Sequence, residues 1–147
     1  MTDPGLDADR RAFVAGARTA TLVTIGPDGT ARPVPICFVL DPDASVLFTP
    51  IDEKPKRSHD PHDLARVRDI ESRPEVAVLV DRWDEDWTRL AWVQVIGLTT
   101  VRDVAAHGDA LAALAARYPQ YREQPPRGPL LCLAPERVVH WRAADPA

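Results

Sequence analysis

Cysteine is scarce in this sequence, and its scarcity argues against two kinds of small protein. Cys37 and Cys132 are the two cysteines among 147 residues, too few for a disulfide framework and without the paired spacing of a zinc site. The four histidines add no ligand motif. We therefore expect no metal site, and we expect a protein of the reducing cytoplasm.

Long apolar runs and an excess of positive charge are also missing. No stretch approaches the roughly 18 consecutive apolar residues of a membrane-spanning helix, and the polar N-terminus, MTDPGLDADRR, lacks the layout of a secretory signal. Lys and Arg number 18 against 22 Asp and Glu, a formal net charge of −4, whereas a nucleic-acid surface needs a basic excess. The sequence thus predicts a soluble protein that binds neither membranes nor nucleic acid.

The motifs of several common enzyme classes are absent as well. The chain has no G-x-S-x-G nucleophile elbow, no Walker phosphate loop and no G-x-G-x-x-G dinucleotide fingerprint. Neither cysteine has a nearby partner that would activate it as a nucleophile, and both lie in apolar segments. A chain without a nucleophile or an acid–base pair can still be an enzyme if a cofactor supplies the chemistry.

What the chain does contain is a series of β-type segments separated by proline-rich turns. It has 15 prolines, about twice the average usage, against 7 glycines. Residues 19–25 and 31–40 flank a Gly-Pro-Asp-Gly turn and predict a hairpin. Gly97 predicts a bulge or bend inside a long strand. The remaining predicted strands are 45–50, 75–81, 88–102 and 130–141.

Helical periodicity is confined to segments at the margins of these strands. Apolar residues recur at helical spacing in residues 7–18, 63–73 and 104–118, and a proline-rich connection precedes the last strand. Asp7 or Asp9 could cap the first helix. Six strands with both faces often apolar predict a mainly β (α+β) fold, a small barrel with peripheral helices. We expect a single domain over residues 1–147, with its core at about 10–142.

A cationic loop is the most informative local segment. The stretch TPIDEKPKRS, residues 49–58, brings Lys54, Lys56 and Arg57 within four positions of an otherwise acidic chain. Cations, hydroxyls and backbone N–H groups between a strand and a helix suit a phosphate, and Pro55 would pre-organise the loop. From composition alone, a solvated polar loop is an equally weighted alternative.

The tryptophans are the second informative feature. Trp83, Trp87 and Trp92 lie within ten positions, and Trp141 closes the last predicted strand. Aromatic and aliphatic side chains can line a groove for a flat ring system such as a flavin. Alternatively, Trp92 and Trp141 anchor the core or a subunit interface.

Taken in order, these segments resemble the pyridoxamine-phosphate-oxidase-like split-barrel superfamily. The resemblance covers roughly residues 10–142 and is carried by TLVTIGPDGTARPVPICFVL, LFTPIDEKPK, LARVRDIESRPEVAVLVD and DEDWTRLAWVQVIGLTTV. The chain is most similar to the actinobacterial branch of oxidoreductases that use the deazaflavin coenzyme F420. This resemblance implies a six-stranded split β-barrel of the FMN-binding type, forming a homodimer with cofactor sites in grooves between the subunits.

The resemblance also implies which residues contact the cofactor. Backbone groups near the ring would come from Pro35, Ile36 and Cys37. The groove wall or dimer interface would include Trp92 and Trp141, and Arg127 would reach an acidic cofactor tail from the partner subunit. The set that holds the phosphate would be Thr49, Pro50, Lys54, Lys56 and Arg57.

The implied activity is transfer of a hydride from reduced F420 to a small electron-poor acceptor, such as an enone, an imine or a quinone. No dedicated catalytic side chain is expected, because the cofactor supplies the chemistry. Two alternatives remain open at this point. One is an FMN-dependent oxidoreductase of the same fold, and the other is a dimer that binds F420 or flavin without turnover.

Overall fold

Seven β-strands form one antiparallel sheet in the part of the chain that the structure describes. The computed structural model describes residues 6–41, 45–51 and 64–143. In chain order the strands are β1 (Ala20–Ile25), β2 (Ala31–Ile36), β3 (Val39–Leu40), β4 (Leu47–Pro50), β5 (Glu75–Arg82), β6 (Ala91–Asp103) and β7 (Pro129–Arg142). Their order in the sheet is β2-β1-β5-β6-β7-β4-β3.

The two edge strands of this sheet follow one another in the sequence. β2 ends at Ile36 and β3 begins at Val39, so Cys37 and Phe38 join opposite edges of the sheet. A two-residue connection spans at most roughly 7 Å even when it is fully extended. The sheet must therefore curl until its two edges lie close together. The result is a barrel that is split between β2 and β3.

The expected mainly β barrel with peripheral helices is therefore confirmed, but its sheet has seven strands rather than six. Residues 31–40 were expected to form one strand. Their first part pairs with β1, and their last two residues pair with β4. The strand is divided because its partner changes at the split, and a continuous apolar run in the sequence does not reveal such a change.

Four α-helices occur within the described ranges, one more than expected. They are α1 (Ala8–Gly16), α2 (Ala65–Ser72), α3 (Gly108–Arg117) and the short α4 (Pro119–Glu123). Of the two expected candidates, Asp7 and Asp9, it is Asp7 that caps α1, because its side chain accepts the backbone N–H of Arg10 at 2.9 Å. The additional helix lies in the proline-rich connection, where Pro119 takes a first-turn position that needs no N–H donor.

The apolar side chains form two clusters. The first fills the interior of the barrel with side chains such as Leu22, Phe38 and Val78. It also includes Val14 of α1 and Ile70 of α2. These two helices therefore pack on the barrel interior. The second cluster joins α3 and α4 to β7 and β3, and its members are Val39, Val104, Ala110, Leu114, Tyr118, Tyr121, Leu130 and Cys132.

Gly97 lies at the predicted irregularity, which is confirmed. The register between β6 and β7 shifts between Ile96 and Gly97. A Cβ atom on Gly97 would lie 2.0 Å from the carbonyl oxygen of Ala134 and 3.0 Å from the backbone nitrogen of Glu136. Glycine is therefore required for the close approach of the two strands.

No helix among the described residues is long and apolar enough to cross a membrane.

Candidate functional site

The free edge of β2 presents carbonyl oxygens toward the split. Pro33 lies opposite Val23 of β1, and Pro35 lies opposite Thr21. Proline has no N–H to donate, which suits positions whose backbone groups face away from the paired strand. The carbonyl groups of both prolines thus point to the open edge, where they can accept hydrogen bonds from a ligand N–H.

The curling of the sheet brings Cys37 and Thr49 together at the split. The Thr49 hydroxyl donates a hydrogen bond of 2.8 Å to the Cys37 carbonyl oxygen. Thr49 is 4% exposed, whereas Cys37 is half-buried. The structure thus joins two residues that the sequence assigned to different parts of one cofactor site.

The start of the cationic loop is fixed beside this contact. Pro50 is buried, and Ile51 is buried with its N–H donated to the Pro129 carbonyl oxygen at 3.0 Å. Lys54, Lys56 and Arg57 lie outside the described residues. Of the five residues predicted to hold the phosphate, the structure therefore describes Thr49 and Pro50.

Tyr118 fastens the same junction and was not anticipated from the sequence. Its hydroxyl oxygen accepts the Phe38 N–H at 3.1 Å. The hydroxyl also lies within donor distance of two carbonyl oxygens, 2.7 Å from that of Arg18 and 3.0 Å from that of Phe38. A tyrosine directly before a proline was the available signal, but the segment gives no hint of partners 80 and 100 positions away.

Trp92 and Trp141 form a second location on the sheet. They face each other across β6 and β7, with Trp92 half-buried and Trp141 45% exposed. Both line a groove of about 150 Å³ whose other walls are Asp7, Asp9, Arg10, Phe13, Ala91, Val93, His140 and Arg142. Along the curled sheet, β1 and β5 lie between β2 and β6, an arc of about 14 Å. Within one chain, the tryptophans and the split are therefore separate locations.

Charged groups connect α1 to this groove. Arg10 contacts both Asp7 and the His140 ring. The pKa of Asp7 is lowered, chiefly because its carboxylate accepts the Arg10 backbone N–H and secondarily because of the nearby positive charge. Arg127, the residue expected to reach an acidic cofactor tail, is exposed on the connection before β7.

A buried carboxylate inside the barrel also escaped the sequence analysis. Asp69 of α2 is 3% exposed, accepts the Thr24 hydroxyl at 2.9 Å and lies 3.6 Å from Arg32 Nε. These contacts fasten α2 to the first hairpin. Cys132 has no comparable chemistry, because burial raises the pKa of its thiol and keeps it protonated.

The sequence matches the family described as pyridoxamine 5'-phosphate oxidase over residues 6–142. This match covers nearly the whole chain, including both edges of the split and the β6–β7 pair. No curated protein sequence matches the chain.

Several solved structures share the fold at low sequence identity. Conserved hypothetical protein Rv2991 from Mycobacterium tuberculosis aligns with a TM-score of 0.75 and 18% identity, over 95% of this chain and 86% of that one. The heme-storage protein HutZ from Vibrio cholerae aligns with a TM-score of 0.67 and 16% identity, over 93% and 94%. General Stress Protein 26 from Bacillus anthracis aligns with a TM-score of 0.62 and 18% identity, over 92% and 94%. At these identities the likeness shows the fold alone.

Proposed function

The chain belongs to the pyridoxamine 5'-phosphate oxidase family, and from this membership we propose that it is an F420-dependent reductase. The reaction would transfer a hydride from the reduced deazaflavin to a small electron-poor acceptor, such as an enone, an imine or a quinone. The observation that carries the proposal is the split, where a carbonyl-lined strand edge meets the fixed start of a cationic loop. The proposal includes the single split-barrel domain and the cytoplasmic location expected from the sequence.

The edge of β2 fits the polar end of a flavin or deazaflavin ring. That end carries a ring N–H, and the carbonyl groups of Pro33 and Pro35 face away from β1, on a side where no other described strand pairs with β2. Ile36 and Cys37 continue the same backbone, with Ile36 buried and Cys37 half-buried. In this proposal the cofactor supplies the hydride chemistry, while the chain orients the ring and excludes water.

The cationic loop would hold the cofactor phosphate. Lys54, Lys56 and Arg57 follow the buried Thr49–Ile51 segment after Asp52 and Glu53, and that segment fixes where the loop begins. Thr49 and Pro50 contribute to phosphate binding because they fix the position at which the cationic loop begins. The Thr49 hydroxyl hydrogen is given to Cys37 in this structure, so donating to a phosphate would require exchange of that bond.

We propose that the cofactor lies between two copies of the chain. Two strands, β1 and β5, lie between β2 and the strand that carries Trp92, and in this proposal the second subunit joins the tryptophans and the split into one groove. Apolar side chains on the outward face of the sheet, half-buried apart from the exposed Trp141, also lie outside both hydrophobic clusters. We call Val23, Ala77, Leu79, Trp92, Ile96, Val139 and Trp141 the outer patch.

Two alternatives share this site. FMN has the same polar ring end and the same first phosphate, so the β2 edge and the loop suit both cofactors. A dimer that binds either one without turnover is the non-catalytic alternative. Because a structural neighbour is a heme-storage protein, heme is an informative third ligand in a binding assay.

The test is a fluorescence titration of the purified protein with F420 and, separately, with FMN. The double variant Lys54→Ala/Lys56→Ala removes two cations, each of which would make a charge-assisted hydrogen bond of roughly 1.5–3 kcal/mol with the phosphate in this proposal. We expect its affinity for F420 to fall at least about 100-fold. The matched control Arg68→Ala/Arg73→Ala removes two cations that are exposed on and just after α2.

The outcomes separate the alternatives. Tight binding of F420 with weak binding of FMN supports the proposal, and the reverse preference favours the FMN alternative. Unchanged affinity in the Lys54/Lys56 variant would remove the loop from the site. Turnover is then assayed with reduced F420 and a panel of enones, quinones and nitroaromatics. Binding without turnover on any of them would favour the non-catalytic dimer.

A further inference from the structure

Two arginines beside Tyr118 have no carboxylate partner in the described part of the chain. The guanidinium carbon of Arg18 lies 5.5 Å from the Tyr118 ring centroid, and that of Arg117 lies 5.7 Å from it. The carboxylates of Asp7, Asp69 and Asp84 form ion pairs with Arg10, Arg32 and Arg89 and not with Arg18 or Arg117. Two positive charges therefore adjoin one aromatic ring without a compensating negative charge.

Arg117 is the more unusual of the two. Its Nε and Nη2 atoms are buried, and neither has a hydrogen-bond partner among the described residues. Buried N–H groups without acceptors cost free energy, even though Arg117 as a whole is half-buried. The Tyr118 ring offsets part of this cost through a cation–π contact, but it offers no acceptor for the two N–H groups.

These arginines adjoin the split rather than a remote surface. The hydroxyl of the same Tyr118 accepts the Phe38 N–H and lies 2.7 Å from the Arg18 carbonyl oxygen. The neighbouring Cys37 carbonyl accepts the Thr49 hydroxyl. The hydroxyl end of Tyr118 thus lies at the split, and the guanidinium groups of Arg18 and Arg117 both lie against the ring of the same side chain.

We propose that Arg18 and Arg117 form a second anion-binding position, which takes a carboxylate or a phosphate group of the ligand. Arg18 is exposed and accessible to the anion, while Arg117 is half-buried and supplies a charge that water screens weakly. Binding supplies the negative charge that Arg117 lacks in the free chain. This proposal does not depend on hydride transfer, since any ligand with an acidic group could occupy the position.

The test measures thermal unfolding in the presence of two probes, inorganic phosphate and triglutamate, with sodium chloride at equal ionic strength as the reference. For the wild type we expect a saturable rise in Tm with at least one probe. Arg117→Met and Arg18→Gln should each weaken the apparent affinity for that probe at least about tenfold. Arg73→Gln, which removes an exposed charge just after α2, should leave it unchanged.

A second readout separates a ligand-binding role from a structural one. If Arg117 serves the ligand, Arg117→Met should unfold at the same or a higher temperature without anion, because an unpaired buried charge has been removed. If that variant is destabilised instead, Arg18→Gln decides, because an exposed side chain can be replaced with little effect on folding. Absence of a saturable shift in the wild type, or its retention in Arg18→Gln, overturns the proposal.

The choice of probe and the affinities for F420 and FMN distinguish whether the bound anion is a carboxylate or a phosphate. A preference for triglutamate, with weakened F420 binding and unchanged FMN binding in Arg117→Met, indicates a carboxylate. A preference for phosphate, with both cofactors weakened, indicates a phosphate. If the wild type binds neither cofactor, the proposed function fails, whereas the phosphate and triglutamate titrations still decide whether the anion position exists.

Discussion

At the scale of single residues, two buried threonines differ in whether the hydroxyl group has a hydrogen-bond partner. Thr24 is 1% exposed and gives its hydroxyl to Asp69, whereas Thr99 is 3% exposed and its hydroxyl has no partner among the described residues. Thr24→Val should lower the free energy of unfolding by about 1–3 kcal/mol, because it removes the 2.9 Å hydrogen bond to the buried Asp69 and leaves Arg32 Nε at 3.6 Å. Thr99→Val makes the same chemical change and should be neutral or stabilising. Urea denaturation measures both, and equal losses would contradict the assigned role of Asp69.

These residues also show what local sequence patterns cannot supply. Thr24 and Asp69 are separated by 45 positions, and Tyr118 is separated from Phe38 by 80. Each residue is unremarkable within its own segment, since a threonine suits a strand and a tyrosine suits an apolar helix end. Their roles arise when the sheet curls, so they required the structure.

At the scale of elements, the start of α1 gives a pH-dependent prediction. Asp7 caps this helix, and its pKa is lowered in the folded chain, first by the Arg10 backbone N–H. A lowered folded pKa means that the stabilisation is present above the unfolded pKa and is lost as the pH falls through the folded pKa. Asp7→Ala should therefore lower stability by about 1 kcal/mol at neutral pH.

The control for this helix cap is Asp7→Asn, which keeps an acceptor but removes the charge. It should retain most of the capping at neutral pH. Its difference from the wild type should disappear in acid, below the folded pKa of Asp7, because both side chains are then neutral. Urea midpoints measured from neutral to acid pH check this, and a difference between wild type and Asp7→Asn that grows toward acid would contradict the sign.

Element boundaries were predictable where a local rule determines them. The Asp7 cap and the Gly97 bulge follow from side-chain chemistry and backbone sterics, and both are confirmed. The division of residues 31–40 into β2 and β3 was missed, because both parts are extended and differ in partner alone. The split that defines the candidate site therefore comes from tertiary pairing, although the sequence had named Cys37 and Thr49 on either side of it.

At the scale of the whole molecule, the outer patch links the location of the tryptophans to the expected assembly. Trp92 and Trp141 face each other across strands with half-buried Ile96 and Val139 farther along the same face. Apolar side chains on an outward sheet face are stabilised when a second surface removes them from water. In the proposed homodimer, this face is buried against the second subunit.

Introducing a charge into the outer patch tests this assembly. Trp141→Glu should weaken dimerisation by about 30-fold or more, since a buried interface tryptophan typically contributes at least about 2 kcal/mol. Leu98→Glu is the matched control, because Leu98 is 46% exposed against 45% for Trp141 but lies beyond the Gly97 bulge. Sedimentation equilibrium measures both variants. A monomeric wild type, or a Trp141→Glu protein as dimeric as the wild type, would contradict an interface on the outer patch.

If dissociation does occur, loss of cofactor affinity in the same variant would link the assembly to the binding groove, because each groove then lacks its second wall.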